Sequence, residues 1–532
     1  MVEWSSLPFD IRLAIFEALA QNVLAVRPGK GRLDRPRMQK HGLSKYSLVC
    51  KEWQPFFEKQ LYSNLTITKY SLYQFRHLVV RQRALVKHIW LKIECETYEC
   101  PWCVFNPNGN RKRKCAADDA TARRAISGLL RTLADWDRDR VACPGSLTLE
   151  ISAHSPSDLE HVFMNELYFD TSSWGIDELQ HDAPLLNDIG HGWANGRRTQ
   201  PQLWISLDRL FGHGHYTLPD FYCRLPQVQL VGRFILRRQT RRTFHPESLT
   251  KLLQSFPNLN SVIYEPWRDL AASPYEEVEG DRPYWWTWSN GLLGRDLGYS
   301  HVISESLPDT LRELTLFEDF NEDYLTIARI HRGYKADNGP VSPRKTPSRA
   351  VGRALAKRSI PLVRLSASYL VDAGEFFRAV DPAWVWKSLV SLSLTSHHLV
   401  ETLSADVSRL LVEAGTTALQ MPQLRRMDIW NGSKGNAWIF SYEITDQHTM
   451  IKWRGTWHLA LDSDIRVADV WSKVAKLYTR RDLTVASGEI LDKDSISSHA
   501  MAIQKLGLGE REVVHPVSLK QIEKETEGYW YK

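Results

Sequence analysis

One short phrase, apolar-x-x-apolar-x-apolar, recurs along this chain and limits its architecture more than any other feature. It occurs at Val86, Ile89 and Leu91; at Leu225, Val228 and Leu230; at Leu259, Val262 and Tyr264; at Leu311, Leu314 and Leu316; at Leu362, Leu365 and Ala367; at Leu389, Leu392 and Leu394; and at Leu424, Met427 and Ile429. Side chains alternate between the two faces of a strand, so the last two apolar residues point to one side while the first packs the turn before it. Helical text lies between the phrases, as in residues 245–259 and 399–420. A unit of strand then helix cannot bury its apolar face alone, and stacked copies form a parallel sheet edged by helices. The expected fold class is α/β.

The spacing is uneven. From Leu362 to Leu389 is 27 residues, but Leu225 to Leu259 is 34 and Leu259 to Leu311 is 52. Only the first falls inside the leucine-rich-repeat period of about 20 to 29 residues. The Asn or Cys that forms the ladder of regular leucine-rich repeats does not recur either. Two architectures fit: an irregular leucine-rich-repeat-like solenoid with parallel strands, or a non-repetitive α/β domain whose strands share the phrase.

The N-terminus speaks differently. Residues 7–19 read Leu-Pro-Phe-Asp-Ile-Arg-Leu-Ala-Ile-Phe-Glu-Ala-Leu, with Pro8 suited to a helix start and Leu7, Ile11, Ile15 and Leu19 every four residues on one face. A second helical phrase places Tyr46, Val49, Cys50 and Trp53 at three-four spacing before Pro55. So brief a segment is expected to turn these apolar stripes toward a partner. The wording, Leu-Pro, the spaced Ile residues and Val-Cys-Lys-x-Trp in order over residues 3–62, resembles an F-box, the helical module that docks a receptor on the Skp adaptor of a Skp-Cullin-F-box ubiquitin ligase. One departure is the basic, Gly- and Pro-rich insertion at 25–42, which reads as an exposed loop. Box first and degenerate repeats after resembles the large F-box families of filamentous fungi.

What the resemblance implies is a non-enzymatic receptor subunit, with a Skp-family adaptor and a cullin scaffold as partners; the alternatives are a non-proteolytic leucine-rich-repeat-like interaction scaffold and a metal-dependent enzyme. Leu7, Pro8, Ile11, Ile15, Leu19, Val49, Cys50 and Trp53 would meet the adaptor, and the repeats would hold an unknown target protein. The expected domains are 1–65 for the box, 66–440 for the repeat-like region and 441–532 for a small α+β region capping the open end.

Composition bounds other functions. Lys plus Arg at 68 against Asp plus Glu at 62 give +6, too mild an excess to argue for nucleic acid. No basic start leads into an apolar core at the N-terminus, and no run of about 18 apolar residues occurs, so a cytoplasmic or nuclear location without a membrane is expected. In such a reducing compartment the seven cysteines are thiols, and the sequons at Asn64 and Asn431 stay unmodified. Cys100 and Cys103, flanked by Cys95 and Cys115, are the cluster to weigh as a zinc knuckle. Its second pair lacks the C-x-x-C spacing, so a loop of free thiols is the reading adopted. His213 and His215 between glycines, with His191 upstream, offer imidazoles but read as loop residues. No phosphate loop, nucleophile elbow, zinc-protease helix or kinase signature set is present. No cofactor and no catalytic residue are expected.

Two interruptions carry the remaining candidates. Residues 266–299 hold Tyr284, Trp285, Trp286 and Trp288, expected either as a target-binding surface or as rings folded back into the core. Residues 334–359 are basic and poor in large apolar residues, the composition of a mobile loop. Within them Ser342 and Thr346 each precede Pro, x and a basic residue, as a proline-directed kinase requires. After Ser441 a hairpin strand, a helix at 465–479 and a charged tail from Val517 are expected.

Overall fold

Each phrase residue occupies a fixed place in a strand. In the computed structural model, strands start two residues after the first apolar position: His88 after Val86, Ser261 after Leu259, Glu313 after Leu311, Arg364 after Leu362, Ser391 after Leu389 and Arg426 after Leu424. Those six first residues are buried, Leu259, Leu311, Leu362 and Leu389 completely. The structure describes residues 4–24, 42–98, 111–139, 143–159, 187–195, 197–199, 225–242, 244–268, 292–331, 348–400, 404–459, 464–486 and 488–526, with Leu207, Leu210 and Phe211.

The strands are β1 (Asn64–Ile67), β2 (His88–Glu94), β3 (Leu147–His154), the small hairpin β4 (Trp193–Ala194) and β5 (Arg197–Arg198), β6 (Val231–Leu236), β7 (Ser261–Tyr264), β8 (Glu313–Phe317), β9 (Arg364–Ser368), β10 (Ser391–Thr395), β11 (Arg426–Ser433), β12 (Asn436–Ile444), β13 (Thr449–Gly455), β14 (Leu483–Val485) and β15 (Glu489–Ile490). One sheet runs β1-β2-β3-β6-β7-β8-β9-β10-β11-β12-β13-β14, with β15 also on β13. From β1 to β11 every pairing is parallel and in chain order, apart from the excluded hairpin; β11, β12 and β13 are antiparallel. Register aligns one apolar level across the whole parallel run: Leu65, Ile89, Leu149, Phe234, Val262, Leu314, Leu365, Leu392 and Met427 are successive partners. A one-residue slip would turn each of these to the other face, so the burial of this level sets the register.

The helices are α1 (Phe9–Leu24), α2 (Leu43–Ser47), α3 (Trp53–Tyr62), α4 (Leu72–Leu78), α5 (Arg111–Arg138), α6 (Pro246–Leu253), α7 (Leu292–Glu305), α8 (Glu322–His331), α9 (Arg349–Arg358), α10 (Ala373–Arg378), α11 (Ser404–Ala418), α12 (Ile465–Thr479), α13 (His499–Lys505) and α14 (Pro516–Thr526). Helices α6, α7, α9, α10, α11 and α12 pack side by side in that order, and their apolar stripes close a core with the aligned strand level. Mixed α/β architecture, with a large, mostly parallel sheet, is what the periodicity predicts.

Several expectations need correction. The phrase at Leu225, Val228 and Leu230 lies before its strand; the paired one is Val231, Phe234 and Leu236, since Phe234 is the partner of Val262. Two strands of the run, β1 and β3, carry no expected phrase. The basic stretch at 334–359 is only partly outside the described residues: Ser348 caps α9, accepting from the Val351 amide at 3.4 Å, and Val351, Ala354 and Leu355 are buried. Sparse small apolar residues at helical spacing were enough, because α7 and α10 cover them. The charged tail from Val517 is α14, with Val517, Leu519, Gln521, Ile522 and Glu525 buried. The boundary expected at 65 falls within β1 and that at 440 within β12, so one sheet runs through both.

The opposite face of the sheet mixes polar residues such as Glu150, Ser366, Ser393 and Asp428 with the apolar Phe317, Trp430 and Ile439, and the C-terminal segment packs on part of it. Helix α13 lies over β11 and β12, so close that a Cβ on Gly432 would stand 2.5 Å from that of Ala502. A second core of Phe317, Phe320, Tyr369, Trp430, Ile439, Ile503, Leu508, Val514 and Ile522 joins this C-terminal segment to the strands. Among the described residues no helix is long and apolar enough to cross a membrane.

Candidate functional site

The N-terminal helices close on themselves. Phe16, Ala20, Leu43 and Phe57 are buried, with Trp4, Leu19, Tyr46, Trp53 and Phe56 packed around them. Trp53 meets Trp4, Phe16, Tyr46 and Phe57 at ring-centroid distances of 5.3, 5.1, 6.0 and 5.6 Å. Both Trp53 and Leu19 therefore belong to the internal core rather than to an outward stripe. The rings of this small module take in Leu19, Tyr46 and Trp53 and leave the rest of both stripes partly or fully outside. Leu7 and Ile15 are half-buried, whereas Pro8, Ile11, Val49 and Cys50 are exposed.

What remains outside is apolar. Phe9 is 68% exposed, Ile11 49%, Leu48 82% and Val49 56%, an arrangement that water penalises in a monomer and that marks interaction surfaces. The two segments carrying them are tied together by Glu52, which accepts from the Trp4 indole at 2.8 Å and pairs with Arg12. Phe9 and Leu48 were not singled out in the sequence; their signal was apolarity beside, rather than on, the helical stripe. Helix α3 is in turn fixed to the sheet region, because Glu58 pairs with Arg81 at 2.5 Å and accepts from Gln82 at 3.3 Å.

A second polar centre lies at the carboxyl ends of β3 and β6 to β8, beneath α13 and α14. Arg237, wholly buried, donates to Glu150 at 3.0 Å and reaches Ser518 and Gln521 at 3.4 Å. Arg238, equally buried, pairs with Asp319 and, at 2.5 Å, with Glu525, and lies 4.7 Å over the Trp267 ring. Glu265 accepts from the His515 amide at 2.8 Å and the Ser518 hydroxyl at 2.5 Å; its pKa is raised, chiefly by burial, which Arg237 and these donors only partly offset. Burial would lower the His499 pKa, but Asp319, hydrogen-bonded at 3.1 Å, and the Glu322 carboxylate raise it to about 9. Burial with Arg237 nearby takes His515 down to about 3. Thus His499 is a cation and His515 neutral at physiological pH. Arg237, Arg238 and His499 each face a carboxylate, and the bonds to Ser518, Gln521 and Glu525 clamp the C-terminal segment onto the sheet.

The third cluster is Asp372, His397 and His398, whose donor atoms lie within 4.8 Å of one another. They sit on the turns that follow β9 and β10.

The remaining candidates separate. Cys95 is buried, Cys100 and Cys103 lie outside the described residues, and Cys115 is on α5 with its side chain undescribed. His191 hydrogen-bonds Asp188 at 2.9 Å; His213 and His215 lie outside the described residues, as do Tyr284, Trp285, Trp286, Trp288, Ser342 and Thr346.

A model of a family of unknown function (DUF6546) matches residues 306–515. That stretch runs from the turn before β8 through α13. No curated protein matches the chain.

Proposed function

We propose that this chain is a non-enzymatic substrate receptor of a Skp-Cullin-F-box type ubiquitin ligase. The observation that carries this reading is the exposure of Pro8, Phe9 and Ile11 at the start of α1 and of Leu48 and Val49 after α2, on a helical module whose own core is closed. Apolar residues left uncovered among the described residues are suited to binding, and these aliphatic and aromatic side chains are of the kind that anchor interfaces. The adaptor would take that surface, with Leu7, Ile15 and Cys50 at its margin. Trp53 and Leu19 act from beneath by holding the module in shape.

The strands in chain order, with a helix layer along one face, support a leucine-rich-repeat-like solenoid as the target-holding part. Because the chain's own C-terminal segment packs on the opposite face at β11 and β12 and bonds Arg237, Arg238 and Glu265 after β6 and β7, the target is assigned to the insertion bearing Tyr284, Trp285, Trp286 and Trp288. Transfer of ubiquitin would be done by other subunits, this chain raising the effective concentration of a target lysine near them. The expected compartment is the cytoplasm or nucleus.

Capture of a purified Skp adaptor by the full chain tests this. The double variant Ile11→Asp with Val49→Asp is expected to lose capture by at least about a hundredfold, two anchors of some 1.5 to 2 kcal/mol each, with an unchanged circular dichroism spectrum. Unchanged capture rejects the reading.

A further inference from the structure

We infer that Asp372, His397 and His398 bind a divalent transition-metal ion of the zinc class. The fold brings them together. Strands β9 and β10 are parallel neighbours with Ala367 opposite Leu394, so the turns that follow them emerge side by side at the carboxyl edge of the sheet, the edge where ligands bind in open parallel sheets. Asp372 heads the first turn and the two histidines occupy the second.

The carboxylate is held rigidly. Its Oδ1 accepts from the Gly374 amide at 2.8 Å, and its Oδ2 from the Ser396 hydroxyl at 3.1 Å, the His397 amide at 2.8 Å and the His397 ring Nδ1 at 2.6 Å. The imidazole rings of His397 and His398 lie 4.0 Å apart at 38°, which places two nitrogen donors beside one oxygen donor. Tetrahedral zinc, with bonds of about 2.0 to 2.2 Å, needs donors roughly 3.4 Å apart. The donors lie within 4.8 Å of one another, and both histidines are only half-buried, so side-chain rotation closes the difference.

The donor set selects the ion. Two imidazoles and one carboxylate suit zinc, cobalt or nickel, whereas calcium and magnesium take oxygen ligands. Three protein ligands leave a fourth position for water. The amide and hydroxyl bonds to Asp372 would serve as the outer shell that orients it. This site is separate from the proposed adaptor surface and lies inside the stretch 306–515 matched by the family model. The competing account is that Asp372 only ties the two turns together by hydrogen bonds; it predicts no stoichiometric metal.

The test is a titration of the chelator-treated full chain with Co2+, followed by absorption, and with Zn2+, followed by calorimetry. One ion per chain is expected, with a tetrahedral cobalt spectrum lacking a thiolate charge-transfer band. His398→Ala is the chosen variant, because Asp372 keeps its bonds to Gly374, Ser396 and His397 when that ring is removed. It should abolish this binding while melting like the parent in chelator. Ser396→Ala should weaken binding about tenfold, and Cys100→Ser with Cys103→Ser should leave it intact. Failure of the parent chain to bind one ion, a thiolate band, or full binding by His398→Ala would each overturn the assignment; the parent spectrum decides even if a variant does not fold.

Discussion

Residue by residue, the N-terminal module divides into groups that face water and groups that hold it shut. Phe57 is fully buried among four other rings, and Phe57→Ala should destabilise the module by about 3 to 5 kcal/mol, read as an early transition in thermal melting. Ile11→Asp should leave that transition in place, because Ile11 is outside the core. In the C-terminal clamp two histidines titrate in opposite senses. The His499 pKa is raised to about 9 from an unfolded value of about 6.5. Its contribution is complete below about pH 6.5 and is lost as pH rises through 9. The His515 pKa is lowered to about 3, so its contribution is complete above about pH 6.5 and is lost as pH falls toward 3. Urea midpoints measured from about pH 5 to pH 9 should therefore peak between the two limbs. His499→Gln should flatten the alkaline limb and His515→Gln the acidic one; parallel profiles in parent and variants would refute this.

At the scale of elements, α14 matters beyond its length. Glu525 accepts from Asn321 at 2.5 Å and pairs with Arg238, both fully or nearly fully buried. Glu525→Ala leaves Arg238 with Asp319 as a remaining carboxylate but removes the acceptor of two buried donors, and should cost about 1 to 3 kcal/mol in chemical denaturation. The contact of α13 with β11 is steric instead. Gly432→Val would drive a side chain into Ala502 and should lift α13 from the sheet, seen as faster proteolysis after residue 488. In the parallel run the strands were legible because each has two residues on one buried face. Strand β3 was missed because Leu147, Leu149, Ile151 and Ala153 alternate without the leading apolar residue, and β6 was displaced by a decoy of the same spacing just before it. Sequence patterns record periodicity, not which of two neighbouring matches will pair.

Over the whole molecule, the C-terminal segment links parts of the chain far apart in sequence, Glu265 to Ser518 and Arg238 to Glu525 among them. Deleting residues 514–532 should raise hydrogen exchange in β6, β7 and β8 while leaving the N-terminal helices unchanged; exchange confined to the new terminus would contradict this coupling. The α/β class, the parallel strands with one buried level, the helix at 465–479, a helix within 399–420 and the apolar character of the N-terminal surface were written in the sequence, because period and hydrophobicity are local properties. Tertiary structure alone decided that Trp53 turns inward while Phe9 and Leu48 face out, that the basic stretch after Ser348 is a packed helix, and that the charged end is a clamp. It also decided that Asp372 meets His397 and His398. These outcomes depend on which surfaces meet across 25 to 287 residues of chain, and a charge or a ring reads alike in sequence whether solvent or an opposite charge awaits it.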